Sequence, residues 1–183
     1  MPYSHFDENN GHKSFQLPGS RPHYNPDRPG QVEHISLDLT LDLPNQSFAG
    51  SCEIRLNPVR SGIDSLTLDA VNLDIRGVQI DGTSHKFNYD GELLHIPVKV
   101  DVVAGKVLDI VIDYGVDKPQ RGLYFIQPDE HYPHKPTQVW TQGEDEDSRF
   151  WFPCFDYPGQ LATSAIRVQV PKDFMAISNG ELV

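Results

Sequence analysis

Between Ile35 and Leu43 every second residue is apolar: Ile35, Leu37, Leu39, Leu41 and Leu43 are separated by Ser36, Asp38, Thr40 and Asp42. Residues two apart share a face only when the backbone is extended. This run therefore predicts a strand with one buried face and one wet face. Pro44-Asn45-Gln46 reads as a turn. Phe48, Cys52, Ile54 and Leu56 carry a second strand, with Gly50 as a candidate bulge, and the two runs form a hairpin.

The same pattern continues along the chain. Leu66 and Leu68 mark a short strand. Val71, Leu73 and Ile75 keep one parity and Val78 and Ile80 the other, so a bulge or bend is expected at Gly77. Asp81-Gly82 and Asp90-Gly91 are hairpin-type turns that flank the alternating His85, Phe87 and Tyr89. Further strands are expected at Leu94–Val98, Leu108–Tyr114, Leu123–Ile126, Gln138–Gln142 and Ser164–Val170. No segment repeats at the helical period over a helical length; Gly159–Thr163 makes at most one helical turn. Many short strands spaced by turns predict an all-β fold with negligible helix, either a β-sandwich or a related open barrel.

Composition bounds the rest. A chain of 183 residues suits one domain with its own core, without a need for disulfides or metals. Residues 1–30, rich in Pro, Gly, His and Asn, read as an extended or disordered arm, which leaves 31–183 as the folded domain. Lys and Arg number 15 against 26 Asp and Glu, a net charge of −11. That balance argues against nucleic acid and against anionic membrane surfaces, both of which need a basic footprint. Met1–Glu8 has neither an apolar run nor a basic leader, and no stretch approaches the ~20 apolar residues of a membrane span. Cys52 and Cys154 do not make a disulfide framework and read as free thiols in a reducing compartment. A cytoplasmic location is expected.

Chemistry concentrates in residues 137–158, which hold both tryptophans, the acidic run Glu144-Asp145-Glu146-Asp147, and five aromatics in the eight residues Phe150–Tyr157. If Val139–Glu144 is extended, Trp140, Gln142 and Glu144 share a face, and Gly143 lets the backbone pass close to a neighbour. An amide and a carboxylate on one face could together grip an ammonium group. The plainer alternative is a solvated acidic loop after a strand. The run lacks the alternate-position ligands and glycine turn of a Ca²⁺ loop. His131 and His134 lack a third metal ligand in sequence. The aromatic cluster is too dense for a single face, so some of its ring surface is expected to meet another domain or a ligand. Arg149 and Asp156 could pair across the turn. Cys154, between Pro153 and rings, reads as buried rather than nucleophilic.

These residues resemble the aminopeptidase N family of zinc metallopeptidases. Thr141-Gln142-Gly143-Glu144, Arg149, Phe152-Pro153-Cys154-Phe155-Asp156, Pro158, Ala162-Thr163 and Ser178-Asn179-Gly180 are similar to that family's Thr-Gln-x-Glu, Phe-Pro-Cys-x-Asp-x-Pro, Ala-Thr and Ser-Asn-Gly blocks. Leu17-Pro18, His34–Leu39 and Phe48–Ser51 look like its first hairpin, and Gly122-Leu123-Tyr124 like its Gly-Leu-Tyr segment. The resemblance spans roughly residues 15–183. It implies a saddle-like β-sandwich of mostly antiparallel strands, the N-terminal domain of a peptidase, packed on its own catalytic domain. It also implies that Gln142 and Glu144 bind the free α-amino group of a peptide substrate. Gly143, Arg149 and Asp156 would support that loop.

The sequence departs from the family at Ser148 in the usual basic pair, at Tyr157 where Glu is common, and at Leu161 before Ala-Thr. More consequentially, it contains no His-Glu dipeptide, so the His-Glu-x-x-His zinc motif is missing, and its only methionines are Met1 and Met175. The expectation is that zinc belongs to a catalytic domain outside this chain, and that this chain alone has no catalytic residues, binds no metal and hydrolyses nothing. Two other readings stay open: a non-catalytic scaffold relative, of the kind found in transcription-initiation assemblies, and an unrelated β-sandwich binding module with aromatic sugar platforms. An exposed row of Trp and Tyr would favour the latter, and a packed Trp151 would count against it.

Overall fold

The computed structural model describes residues 28–98, 102–157, 159 and 161–183. Most of the expected arm (residues 1–27) lies outside the described residues, and its last residue, Gly30, already belongs to a strand. The hairpin comprises β1 (Gly30–Asp42) and β2 (Ser47–Pro58). It turns where the Asp42 carboxylate accepts the Asn45 backbone N–H (3.2 Å) and side-chain amide (2.8 Å). There follow β3 (Ser65–Asp69), β4 (Asp74–Ile80), β5 (Thr83–Ser84), β6 (Asn88–Tyr89) and β7 (Leu93–Pro97). The remaining strands are β8 (Leu108–Asp117), β9 (Leu123–Ile126), β10 (Gln138–Thr141) and β11 (Thr163–Gln169). Among the described residues the only helical piece is one 3₁₀ turn, Ser148–Phe150. The fold is all-β, as the alternation predicts.

Six strands form one sheet in the order β11-β1-β2-β8-β4-β5. β3, β7 and β6 form a second sheet, and β9 and β10 a two-stranded ribbon. All pairs are antiparallel except β1 with β11. Register lines the buried side chains up in rows across the large sheet. Leu37, Cys52, Ile112 and Val78 are successive partners, as are Ile35, Ile54, Ile110 and Ile80. Leu66, Leu68, Leu94 and Ile96 of the small sheet belong to the same buried cluster. The two sheets therefore share one core, as in a sandwich.

Several details differ from, or sharpen, the sequence reading. Gly50 is not a bulge: it pairs in unbroken register with Leu39 and Tyr114. A Cβ there would collide with the Asp38 carbonyl oxygen, so the glycine serves close strand approach. The register does shift between Ile75 and Gly77, where the change of parity places it. It shifts also between Val32 and His34, which is how both Val32 and Leu37 come to be buried despite their odd spacing. His85–Tyr89 is not one strand. β5 pairs with the large sheet and β6 with the small one, so the chain crosses between layers there. Val71 and Leu73 lie outside any strand. Their N–H groups donate instead to the Arg149 carbonyl (2.8 Å) and the Tyr89 hydroxyl (2.9 Å). Of the anticipated helical turn at Gly159–Thr163, Gln160 is outside the described residues and Thr163 opens β11.

Candidate functional site at the ribbon and acidic loop

The ribbon has two faces fixed by register. Leu123 is buried, and Phe125 and Val139 pack against the core, so that face points inward. On the outward face Tyr124 and Trp140, directly opposite one another, stack at 4.5 Å and 18° between ring planes. Trp140 is 46% exposed. The ladder runs one step beyond the strand, because the Gln142 N–H donates to the Gly122 carbonyl at 2.8 Å. Gln142 therefore falls on the same face as Trp140. Gly122, its partner, has φ of 74°, and a Cβ there would run into the Asp147 carbonyl oxygen and the Trp151 ring. Only glycine fits.

Extension stops short of Glu144. Beyond Gln142 the chain leaves the ladder, and residues 144–147 form a turn closed by the Asp147 N–H on the Gly143 carbonyl (3.0 Å). The Ser148 hydroxyl lies 2.7 Å from where a Gly143 Cβ would be, so glycine permits this closure. The shared face thus covers Trp140 and Gln142, while Glu144 sits on the adjoining turn. Gln142 and Glu144 are both exposed, and neither side chain makes a hydrogen bond or ion pair with any described residue.

The loop is fastened by Arg149. Its Nε donates to the Asp156 carboxylate at 2.9 Å, and one terminal nitrogen reaches Glu146 at 2.8 Å and the Asp156 carbonyl at 3.0 Å. The other lies 3.3 Å from Asp69. The Arg149 N–H also donates to the Asp156 carboxylate, at 3.1 Å. Arg149 and Asp156 therefore pair across the turn, as their spacing suggested. Asp69, at the end of β3, was not foreseeable from sequence. It is the last residue of a short strand, far from the loop in the chain. Its backbone exchanges hydrogen bonds with Cys154 (2.8 and 3.0 Å), and its carboxylate accepts the Asp156 N–H at 3.0 Å. Burial pushes the Asp156 carboxyl above the usual carboxylate range, against the pull of the guanidinium, with the charge of Asp69 adding to the push. Burial alone would weaken the Arg149 guanidinium; its bond to Asp156 and the charges of Asp69, Asp156 and Glu146 hold it above its ordinary value.

The aromatic cluster corrects one expectation. Trp151, Phe152, Phe155 and Tyr157 are all buried and join the core, and Phe150 is half-buried. A 3₁₀ turn followed by bends has no single face, so successive rings turn inward at different heights. On the ribbon Trp140 is exposed and Tyr124 half-buried, and away from it Tyr132 and Phe174 are exposed. Cys52 and Cys154 are free and buried; burial pushes both thiols far up, which leaves them unreactive. His131 and His134 lie on an exposed loop closed by Asp129, which accepts the His131 and Tyr132 N–H groups and pairs with Lys135 at 2.7 Å. Among the described residues no group of three or more His, Cys, Asp or Glu could hold a metal. They supply no ligand set for zinc. No helix of the described residues is long and apolar enough to cross a membrane.

Comparison with known proteins bears on the family and the fold. Residues 21–183 match the family profile described as Peptidase M1 N-terminal domain. Probable aminopeptidase 1 of Saccharolobus solfataricus is 32% identical over 142 residues, which covers 78% of this chain and 17% of that protein. Transcription initiation factor TFIID subunit 2 of Danio rerio is 35% identical over 80 residues, 43% of this chain and 7% of that one. Among solved structures, yeast LTA4 hydrolase in complex with bestatin superposes with a TM-score of 0.66 at 23% identity, covering 82% of this chain and 26% of that chain. The chain thus spans about a quarter or less of the length of each of these relatives. With a matching profile over all of the described residues and the fold of a solved relative, this chain belongs to the Peptidase M1 N-terminal domain family.

Proposed function

We propose that this chain is the N-terminal domain of a zinc metallo-aminopeptidase, and that Gln142 and Glu144 receive the free α-amino group of a peptide substrate. One observation carries the reading: an amide and a carboxylate, both exposed and without partners among the described residues, stand at the tip of a loop whose base is fastened by five contacts from Arg149. Facing an ammonium, Glu144 supplies the charge and the Gln142 oxygen a second acceptor. An internal peptide amide offers no such cation, so the pair selects chain ends. Gly143, Arg149 and Asp156 act on this contact by shaping the loop. Zinc belongs to the catalytic domain that this reading assigns to the full-length protein, and that domain is also the chain's principal partner. The two free thiols fit a reducing, cytoplasmic compartment, and the charge of −11 fits a protein that binds neither nucleic acid nor anionic membrane.

The match to a transcription-factor subunit favours a second reading, a scaffold relative without catalysis. One experiment separates them. In the full-length protein, Glu144→Ala is expected to lower kcat/KM for peptides with a free amino terminus about ten- to a hundredfold, the worth of a hydrogen bond to a charged group. An unchanged kcat/KM would remove Glu144 from amine recognition. A full-length wild-type protein with no hydrolytic activity on any amino-acid amide would favour the scaffold.

A further inference from the structure

We infer that the stacked Tyr124–Trp140 pair is the platform on which the side chain of the substrate's first residue lies, so that the ribbon sets a preference for aromatic and large apolar amino termini. The inference rests on the amine-site reading above. Its own observation is the continuity of one face. Register places Tyr124 opposite Trp140, and the Gln142 N–H bond to Gly122 carries the same ladder one step further, so the rings and the Gln142 side chain look the same way.

Two residues along a strand span about 7 Å. An amino group held at Gln142 leaves its own Cβ two bonds away, within reach of the rings for a side chain of leucine or phenylalanine size. An alanine methyl is too short. Directly opposite Gln142 stands Gly122, which has no side chain to block the passage between the two. Of the other aromatics of the region, Trp151, Phe152, Phe155 and Tyr157 are buried, and Phe150 is half-buried with the Arg121 guanidinium over its ring. Trp140, nearly half exposed with its ring face already stacked on one side, has no such structural duty. Stacked or edge-on contact with such a pair adds to the area that an apolar ligand buries.

The test uses the full-length protein and the L-phenylalanine and L-alanine p-nitroanilides as probes. Trp140→Ala is expected to lower the ratio of kcat/KM for phenylalanine over alanine about three- to tenfold, and Trp140→Phe to restore most of it. Glu144→Ala is expected to lower both rates together and keep the ratio. If Glu144→Ala weakens both substrates while Trp140→Ala leaves the ratio unmoved, or lowers both rates equally, the platform is overturned and the amine site stands. If Glu144→Ala changes neither rate, the amine site fails and the platform fails with it. Tyr124→Leu provides an independent variant on the other strand, with the same expected direction. Thermal unfolding of each variant identifies any loss that comes from misfolding.

Discussion

Arg149 holds three carboxylates at once, and removing a side chain with that many partners leaves them clustered without a counter-ion. Arg149→Met is expected to destabilise the chain by about 3 kcal/mol, the low end for breaking a buried pair, because Arg149 keeps 22% of its exposure. The pH dependence has a definite sign. Asp156 already binds its proton more tightly in the folded state than its reference value of 3.8 implies. Without the guanidinium of Arg149, which pulls the other way, that difference widens. The folded chain then carries more bound protons than the unfolded chain, and stability falls as pH rises. The penalty of the variant should therefore shrink from neutral pH towards about pH 4 in urea denaturation. At this scale the sequence was partly legible. Arg149 and Asp156 flank a turn and advertise their pairing, and Gln142 and Glu144 stand out by motif. Asp69 was hidden because its partners lie some 80 residues away in the chain, and no local period signals a tertiary ion pair.

At the scale of elements, β1 and β2 were readable almost to the residue, because alternation is the direct imprint of a half-buried strand. What sequence could not resolve was purpose at Gly50. A glycine inside a strand signals either a bulge or a close approach, and only the neighbouring backbone decides between them. Gly50→Ala is expected to cost about 1–3 kcal/mol, since the colliding atom is a carbonyl oxygen that cannot rotate away. A midpoint in urea equal to wild type would mean that β1 and β2 can separate freely. The crossing between sheets at His85–Tyr89 was likewise illegible. The alternation there is intact, but it serves two different sheets in turn, and periodicity carries no information about which partner a strand finds.

For the whole molecule, the two sheets close over a single buried cluster that includes both thiols. Labelling of Cys52 and Cys154 by a thiol reagent should accordingly be negligible in the folded chain and should rise along the same urea curve as the tertiary signal. Labelling of either thiol well before that transition would show that the layers open separately. The class of the fold followed from strand pattern alone. The proposed function did not, because a domain's core records how it folds and not what it binds.

The fastening of the acidic loop has a consequence for how such a protein changes over time. Its anchors, Arg149 and Asp156, are set back from the tip at Gly143–Asp145, and Asp69 is supplied by a different strand altogether. The tip can be rewritten without loosening the mount. Substitutions at the exposed Asp145 or Glu144 leave the holder's grip intact, so single changes there cost the fold little.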